Sequence, residues 1–322
     1  MALKVLDLFC GAGGFSRGFE EAGFEIIGGL DNYSPCAEAF RQNFPRAVVI
    51  EEDIKSLRSE DIVSALGEEP DVIIGGPPCE PFTAANFKRR KNPLDRLYDD
   101  PIGTLVLHFI RIVGDLRPKV FVMENVPQIL EDGLAEALKY EFRRVGFKKV
   151  FFNILRAEDY GNPSRRTRVF ISNVKLKPKR SRKRVVVIEA IGDLPEPDTL
   201  HDIPDHDPVP VGASRRKRIA RLRFGQALVR YMGAGGKVMT NWIRLHPYRL
   251  APTVMGKSRF VHPYSDRLLT VRENARLMSF PDHHVFYGGR DTRFDQVGEA
   301  VPVCLARSIA VFVKEAIESG SV

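Results

Sequence analysis

Four short segments carry side chains whose type and placement could do chemistry. In GGPPCEPFT, Gly75–Thr83, Cys79 stands between prolines at the end of a short apolar run. Turn-forming neighbours hold it in a rigid, partly exposed loop, where a thiol can act as a nucleophile. Cys10, Cys36 and Cys304 lack that setting and read as inert core thiols. In FVMENVP, Phe121–Pro127, an apolar strand delivers Glu124 and Asn125 to its carboxyl end. A carboxyl partly desolvated there is raised in pKa and can donate a proton; in isolation, Glu124 reads equally well as a cap at a strand–loop junction. In YGNPSRRTRVF, Tyr160–Phe170, Arg166 and Arg168 alternate along an extended segment and so share one face. They suit a carbonyl oxygen, a phosphate or a carboxylate.

The fourth segment is DLFCGAGGF, Asp7–Phe15, a strand running through a glycine-rich turn into a helix. Glycines let the backbone approach a ligand closely, and a helix N-terminus favours negative charge. The spacing of Gly11, Gly13 and Gly14 does not match the GxGxxG of dinucleotide folds. Asp31, ending a second strand, could accept from ribose hydroxyls, and Asp53, after a third, could face an adenine amino group. Together they suit an adenosine-containing ligand, although either alone is as readily a helix cap.

These side chains need a scaffold that presents strand ends together. The pattern predicts strands at 5–9, 25–30, 47–50, 71–75 and 120–123, with helices at 15–22, 34–43 and 105–116. Such alternation implies an α/β fold, a mostly parallel sheet with helices on both faces. Ligands of such sheets bind at the carboxyl ends of the strands, where the unusual residues fall. From about Lys175 the texture becomes basic and rich in proline and glycine, with IPDHDPVPVG (203–212) and GAGG (233–236) as loops. A smaller domain is expected over 175–275. The apolar helical spacing at 301–317 returns the chain to the first domain, so 1–174 is completed by 293–322, with 276–292 as a hinge or connection.

The net charge of +8 divides unevenly. Residues 1–174 hold 23 basic and 26 acidic side chains, a net of −3; residues 175–322 hold 26 and 15, a net of +11. The excess lies in KLKPKRSRKR (175–184) and SRRKRIARLR (214–223). Singly, such runs are solvated faces; two in one region favour a polyanion-facing surface. Four cysteines without CxxC pairing argue against a zinc site and a secreted disulfide framework, and point to a reducing cytoplasm. No apolar run approaches the roughly 20 residues of a membrane helix, and the N-terminus does not read as a signal peptide.

FCGAGG, GGPPC, MENV and the RxR segment, in this order, resemble the cytosine-5 DNA methyltransferases. The likeness continues through GTLVLHFIRIV (103–113), RLLTVRENARLMSFPD (267–282) and QVGEAVP (296–302), sparing only about 175–245. It implies a Rossmann-like class I methyltransferase fold with a small, irregular target-recognition domain. By this resemblance Cys79 attacks C6 of a cytosine, and Glu124 hydrogen-bonds N3 and the exocyclic amine. Arg168 holds O2, Arg166 buttresses the site or contacts nucleic acid, and S-adenosylmethionine methylates C5. Attack on the ring face requires the base to be flipped out, and the loop from Glu80 to about Gly103 should close over it. The resemblance assigns the cofactor to Phe9, Gly11, Gly13, Gly14, Asp31, Asn32, Asp53, Ile54, Pro78, Leu105 and Glu299.

Four positions depart from the family's usual pattern: Glu80 for Gln after the nucleophile, Glu299 for Asn, Asn162 and Ser164 for Val and Gln, and Ile102 for Arg. Double-stranded DNA is the expected partner, met by Arg89, Arg90, Arg215, Arg216 and Arg218, in a restriction–modification or stand-alone prokaryotic methylation system. A tRNA cytosine-5 methyltransferase and a catalytically lapsed nucleic-acid-binding relative are the alternatives. A monomer is the default, since one active site serves one flipped base.

Overall fold

A computed structural model describes residues 2–84, 86, 88–232 and 238–321; the GAGG segment at 233–236 lies outside them. Seven strands form the main sheet: β1 (Lys4–Leu8), β2 (Glu25–Leu30), β3 (Val48–Ile50), β4 (Val72–Gly75), β5 (Val120–Asn125), β6 (Phe151–Arg156) and β7 (Thr167–Ser172). Their order is β3-β2-β1-β4-β5-β7-β6. β1 to β5 pair in parallel, whereas β7 runs antiparallel to both β5 and β6.

Alternate residues of the central strands enter different cores, as a sheet covered on both faces requires. Leu6, Leu8, Ile73, Phe121 and Met123 pack on one side. That side is covered by α3 (Ser59–Leu66), α5 (Leu105–Leu116) and α6 (Leu134–Arg144). Val5, Val72, Ile74, Val120 and Val122 pack on the other. There they meet α1 (Gly14–Glu21), α2 (Ser34–Asn43) and α11 (Val303–Glu318), so the C-terminal helix does return to the first part of the chain.

The expected strands and helices of the first 125 residues are present, with β5 lengthened to take in Glu124 and Asn125. The expected loop between Glu80 and Gly103 holds α4 (Pro93–Tyr98), whose first turn is capped by the Asn92 side chain. The strand order reverses between β1 and β4, which opens a crevice at their carboxyl ends. A side chain at Gly75 would collide there with the Leu8 carbonyl oxygen. Glycine is what lets the GGPPC turn leave beside the glycine-rich turn.

The basic part contains α7 (Val187–Ile191), α8 (Ala213–Ile219), and a second sheet of β8 (Ala227–Met232), β9 (Val238–Arg244) and β10 (Phe260–Val261). Its own small core centres on Ile219, Val261 and Leu268. Between the two parts, α9 (Val271–Leu277) and α10 (Arg290–Glu299) frame the 276–292 segment expected as a hinge or connection. That segment is firmly docked. His284 lies 2.8 Å from the Ala12 carbonyl oxygen, and the Val285 amide donates to Asn43. The 203–212 loop is tied down as well, Asp205 accepting from the Phe286 amide and from Arg293. Among the described residues, no helix is long and apolar enough to cross a membrane.

Candidate active site

The crevice gathers the sequence motifs from three strand ends. Cys79 follows β4 within the Pro-rich turn, and its carbonyl accepts from the amides of Phe82 and Thr83 at 3.0 and 2.9 Å. The Thr83 hydroxyl donates to the same carbonyl at 3.0 Å and lies 3.6 Å from the Cys79 sulfur. From the neighbouring strand, the buried Asn125 amide donates to the Pro77 carbonyl at 3.0 Å, clamping the turn from below. Burial and the Glu124 carboxylate raise the Cys79 thiol, opposed by Thr83, Arg168 and Arg166.

Glu124, buried near the end of β5, faces the same space. Arg168 Nε on β7 stands 2.8 Å from Glu124 Oε1, yet out of line for a hydrogen bond, and Oε1 has no hydrogen-bond partner. The guanidinium charge compensates that oxygen, while its lone pair stays available to a well-aligned donor. A ligand that donates to it gains a hydrogen bond that the resting site lacks.

Arg166 and Arg168 both act electrostatically on Cys79, but their side chains do different things. Arg168 is partly exposed; among the described residues it pairs with Glu124 and donates to the Thr167 carbonyl. Arg166 is almost completely buried. Its guanidinium donates to the carbonyls of Val254, Gly298 and Glu299 at 3.0, 2.8 and 3.1 Å. Of the two roles set out for Arg166, its geometry is that of a buttress. It joins the start of β7 to Val254 and the end of α10, and its buried Nε makes no hydrogen bond. Burial lowers its pKa to about 9, which leaves it charged at neutral pH.

The second half of the crevice lies around the glycine-rich turn. Phe9, Gly11 and Gly13 all have positive φ, and a side chain added at Gly11 would meet nothing within 4 Å, so open space adjoins that backbone. Asp31 accepts from the amides of Gly11 and Tyr33, both at 2.9 Å, and burial raises its carboxyl. Beneath the turn, the buried Asp7 takes a 2.6 Å hydrogen bond from Ser16, and desolvation lifts it to about 7. Phe9, Leu105 and Cys79 pack against one core cluster that includes Ile54. Asn32 and Asp53 are exposed, Asp53 accepting from the Lys55 amide, and Pro78 is half-buried beside Cys79.

Glu299 ends α10 with part of its surface exposed, but its carboxyl is crowded enough to rise to about 7. Burial leads that shift, followed by Asp295, Glu80 and Asp31. The two departures from the family pattern, Glu80 and Glu299, therefore feel one another.

The basic residues divide. Arg89 turns inward, to the Phe82 carbonyl and to Glu131, and is not free to meet a phosphate in this conformation. Arg90 is exposed and donates to the Asp99 carbonyl. Arg215, Arg216 and Arg218 lie exposed on α8, with Arg215 over the Trp242 ring at 5.3 Å. Sequence reasoning passed over Thr83 and the clamp made by Asn125. A hydroxyl four residues after a candidate nucleophile, one turn on, was the available signal for the first.

The C-5 cytosine-specific DNA methylase family matches residues 3–315. A relative from Methanocaldococcus jannaschii, "Putative type II methyltransferase M.MJ0563P", is 50% identical over 97% of this chain and 99% of its own length. The type II methyltransferase M.DdeI of Desulfomicrobium norvegicum is 32% identical, covering 96% of this chain and 88% of its own. Among solved structures, a putative DNA modification methyltransferase encoded within an E. coli prophage superposes with a TM-score of 0.79. It has 26% identity and covers 98% of this chain and all of that one. With the motifs in order at the strand ends and the match spanning nearly every residue, the chain belongs to the C-5 cytosine-specific DNA methylase family.

Proposed function

We propose that the protein transfers a methyl group from S-adenosylmethionine to C5 of a cytosine flipped out of duplex DNA. The type II methyltransferases among its relatives support a place in a restriction–modification system. The observation that carries the reading is the buried Glu124 carboxylate, paired with Arg168 and acting electrostatically on Cys79 in the same recess. Together they present a nucleophile, a carboxyl group and a cation in one recess.

Each side chain has a task set by its chemistry. The Cys79 thiolate adds to C6 of the base, and loss of the C5 proton after methyl transfer expels it again; Thr83 steadies the turn that aims it. Glu124 meets N3 and the exocyclic amine, where negative charge accumulates during attack. Arg168 takes O2, while Arg166 acts from behind as a positioning residue. S-adenosylmethionine supplies, when bound, an electrophilic methyl group. The residues around the glycine-rich turn fit it: the partly exposed Phe9 and Leu105 offer apolar surface backed by the buried Ile54, and Asp31 offers acceptors for ribose hydroxyls. Residues 1–174 and 293–322 would carry this chemistry, and 175–275 would read the DNA.

Incubation with labelled S-adenosylmethionine and either duplex DNA or total tRNA tests the substrate. Label is expected in the duplex, as 5-methyldeoxycytidine after digestion; label confined to tRNA would end the DNA reading. For the basic face, replacing Arg215, Arg216 and Arg218 with glutamine is expected to flatten the dependence of log affinity on log salt by about 0.9 for each lost phosphate contact. An unchanged slope returns α8 to an ordinary solvated helix.

A further inference from the structure

Parallel strands β9 and β10 end side by side, with Val261 in register with Arg244. Beyond them the chain turns twice with the same tripeptide, His246-Pro247-Tyr248 and His262-Pro263-Tyr264. The turns share a cause: each histidine Nδ1 accepts the backbone N–H two residues on, from Tyr248 at 3.1 Å and from Tyr264 at 3.3 Å. Proline lacks the N–H that would continue the sheet ladder. Two neighbouring strands thus throw two tyrosines outward together, 68% and 57% exposed. Phe224, just before β8 and 45% exposed, completes the group.

The rings form one connected patch. Phe224 lies 5.3 Å from His246 and 6.2 Å from Tyr264, and His246 lies 6.3 Å from Tyr248. Their planes meet at 55°, 85° and 67°, so no pair is stacked face to face. None of the side chains at the Cys79 recess belongs to this patch. Its exposed sequence neighbours Arg221, Arg223 and Arg249 make no ion pair among the described residues. Acids of the same region are already engaged, Asp266 by Arg244 and Glu196 by Arg267. Exposed rings among uncommitted guanidinium groups match a polymer that offers flat π-faces along a chain of phosphates. A duplex keeps its base faces stacked inside, whereas a single strand presents them.

We propose that Phe224, Tyr248 and Tyr264, with Arg221, Arg223 and Arg249, form a second nucleic-acid surface that binds single-stranded DNA by stacking unpaired bases. The arginines meet the phosphates on either side. The platform is independent of the chemistry assigned to Cys79, because it needs neither the cofactor nor a flipped cytosine.

The test measures anisotropy of a labelled oligo(dT) strand of about 12 nucleotides, a duplex of equal length and an oligo(rU) strand, with the full chain at fixed salt. The double variant Tyr248→Ala/Tyr264→Ala is expected to weaken oligo(dT) binding about 100-fold, tenfold or more for each lost stack. Because both tyrosines lie in the part proposed to read DNA, duplex affinity is expected to fall too, but by less than tenfold, so the ratio of strand to duplex affinity should drop by tenfold or more. Tyr248→Phe/Tyr264→Phe keeps the rings and should keep the affinity, and both variants should melt as the parent does. Three results overturn the proposal. Equal weakening on strand and duplex reduces the patch to a backbone contact. Unchanged or undetectable oligo(dT) binding leaves the rings to a protein partner. Preference for oligo(rU) by tenfold or more assigns the surface to RNA.

Discussion

Replacing Cys79 with serine is expected to lower methyl transfer to duplex DNA by about 10⁶-fold, the scale on which losing a covalent nucleophile acts in other enzymes. The substitution keeps the shape of the turn, whose carbonyl is still held by the amides of Phe82 and Thr83. It exchanges a thiol for a hydroxyl that ionises far less readily. The wild-type thiol is itself held above its ordinary value, first by burial and then by Glu124. The thiolate is therefore a small fraction at neutral pH and grows about tenfold per pH unit below the thiol's pKa. Single-turnover formation of a covalent adduct with duplex containing 5-fluorocytosine should rise with pH from 6 to 8 along that slope. A fluorine at C5 cannot leave as a proton does, so the adduct persists and is counted on a denaturing gel. A trapped adduct in Cys79→Ser protein would sink the assignment of Cys79. A flat profile in the wild type would mean that proton removal from the thiol does not govern attack.

How much of this was legible in the residues depended on distance along the chain. The paired turns after β1 and β4 announced themselves locally, because glycine and proline at those spacings state a backbone conformation and β5 is a plain apolar run. Buried strands read well for the same reason: both faces of β1 and β4 enter cores, so each is nearly continuous in apolar residues. What stayed hidden were partners supplied from afar. Arg166 and Arg168 look alike in an RTR segment, and only carbonyls 88, 132 and 133 residues away make one of them a buttress. Arg89, in a basic run that suggested phosphate contact, is turned inward by Glu131, 42 residues on. Helix α4 was masked by its charged sequence, NPLDRLYDD, although the Asn-Pro start that caps it was in view. Likewise the repeated His-Pro-Tyr is plain in the letters, but its meaning depends on two strands lying in parallel register.

A second large effect falls on stability rather than chemistry. Arg166→Met keeps an apolar stem of similar length and removes three charged hydrogen bonds, from the carbonyls of Val254 and Gly298 in buried surroundings and from that of the more exposed Glu299. Hydrogen bonds to charged groups contribute about 1.5–3 kcal/mol each, and the buried carbonyls left behind lose their partners without gaining water. The expected loss of folding stability is about 3–5 kcal/mol, read as a fall in Tm of roughly 10 °C. Arg168→Met serves as the contrast. Its guanidinium donates only to the exposed Thr167 carbonyl, but its loss leaves the buried Glu124 carboxylate without a counter-ion, so Tm should fall by about 5 °C, less than for Arg166→Met. Turnover should fall for both, but for different reasons. In the Arg166 variant the loss should come with a weaker affinity for S-adenosylmethionine, because Glu299 and α10 are no longer anchored beside Asp31. In the Arg168 variant cofactor affinity should hold while the chemical step slows. An Arg166→Met protein that melts like the wild type yet cannot form the 5-fluorocytosine adduct would place Arg166 at the base itself, against the burial of every one of its donors.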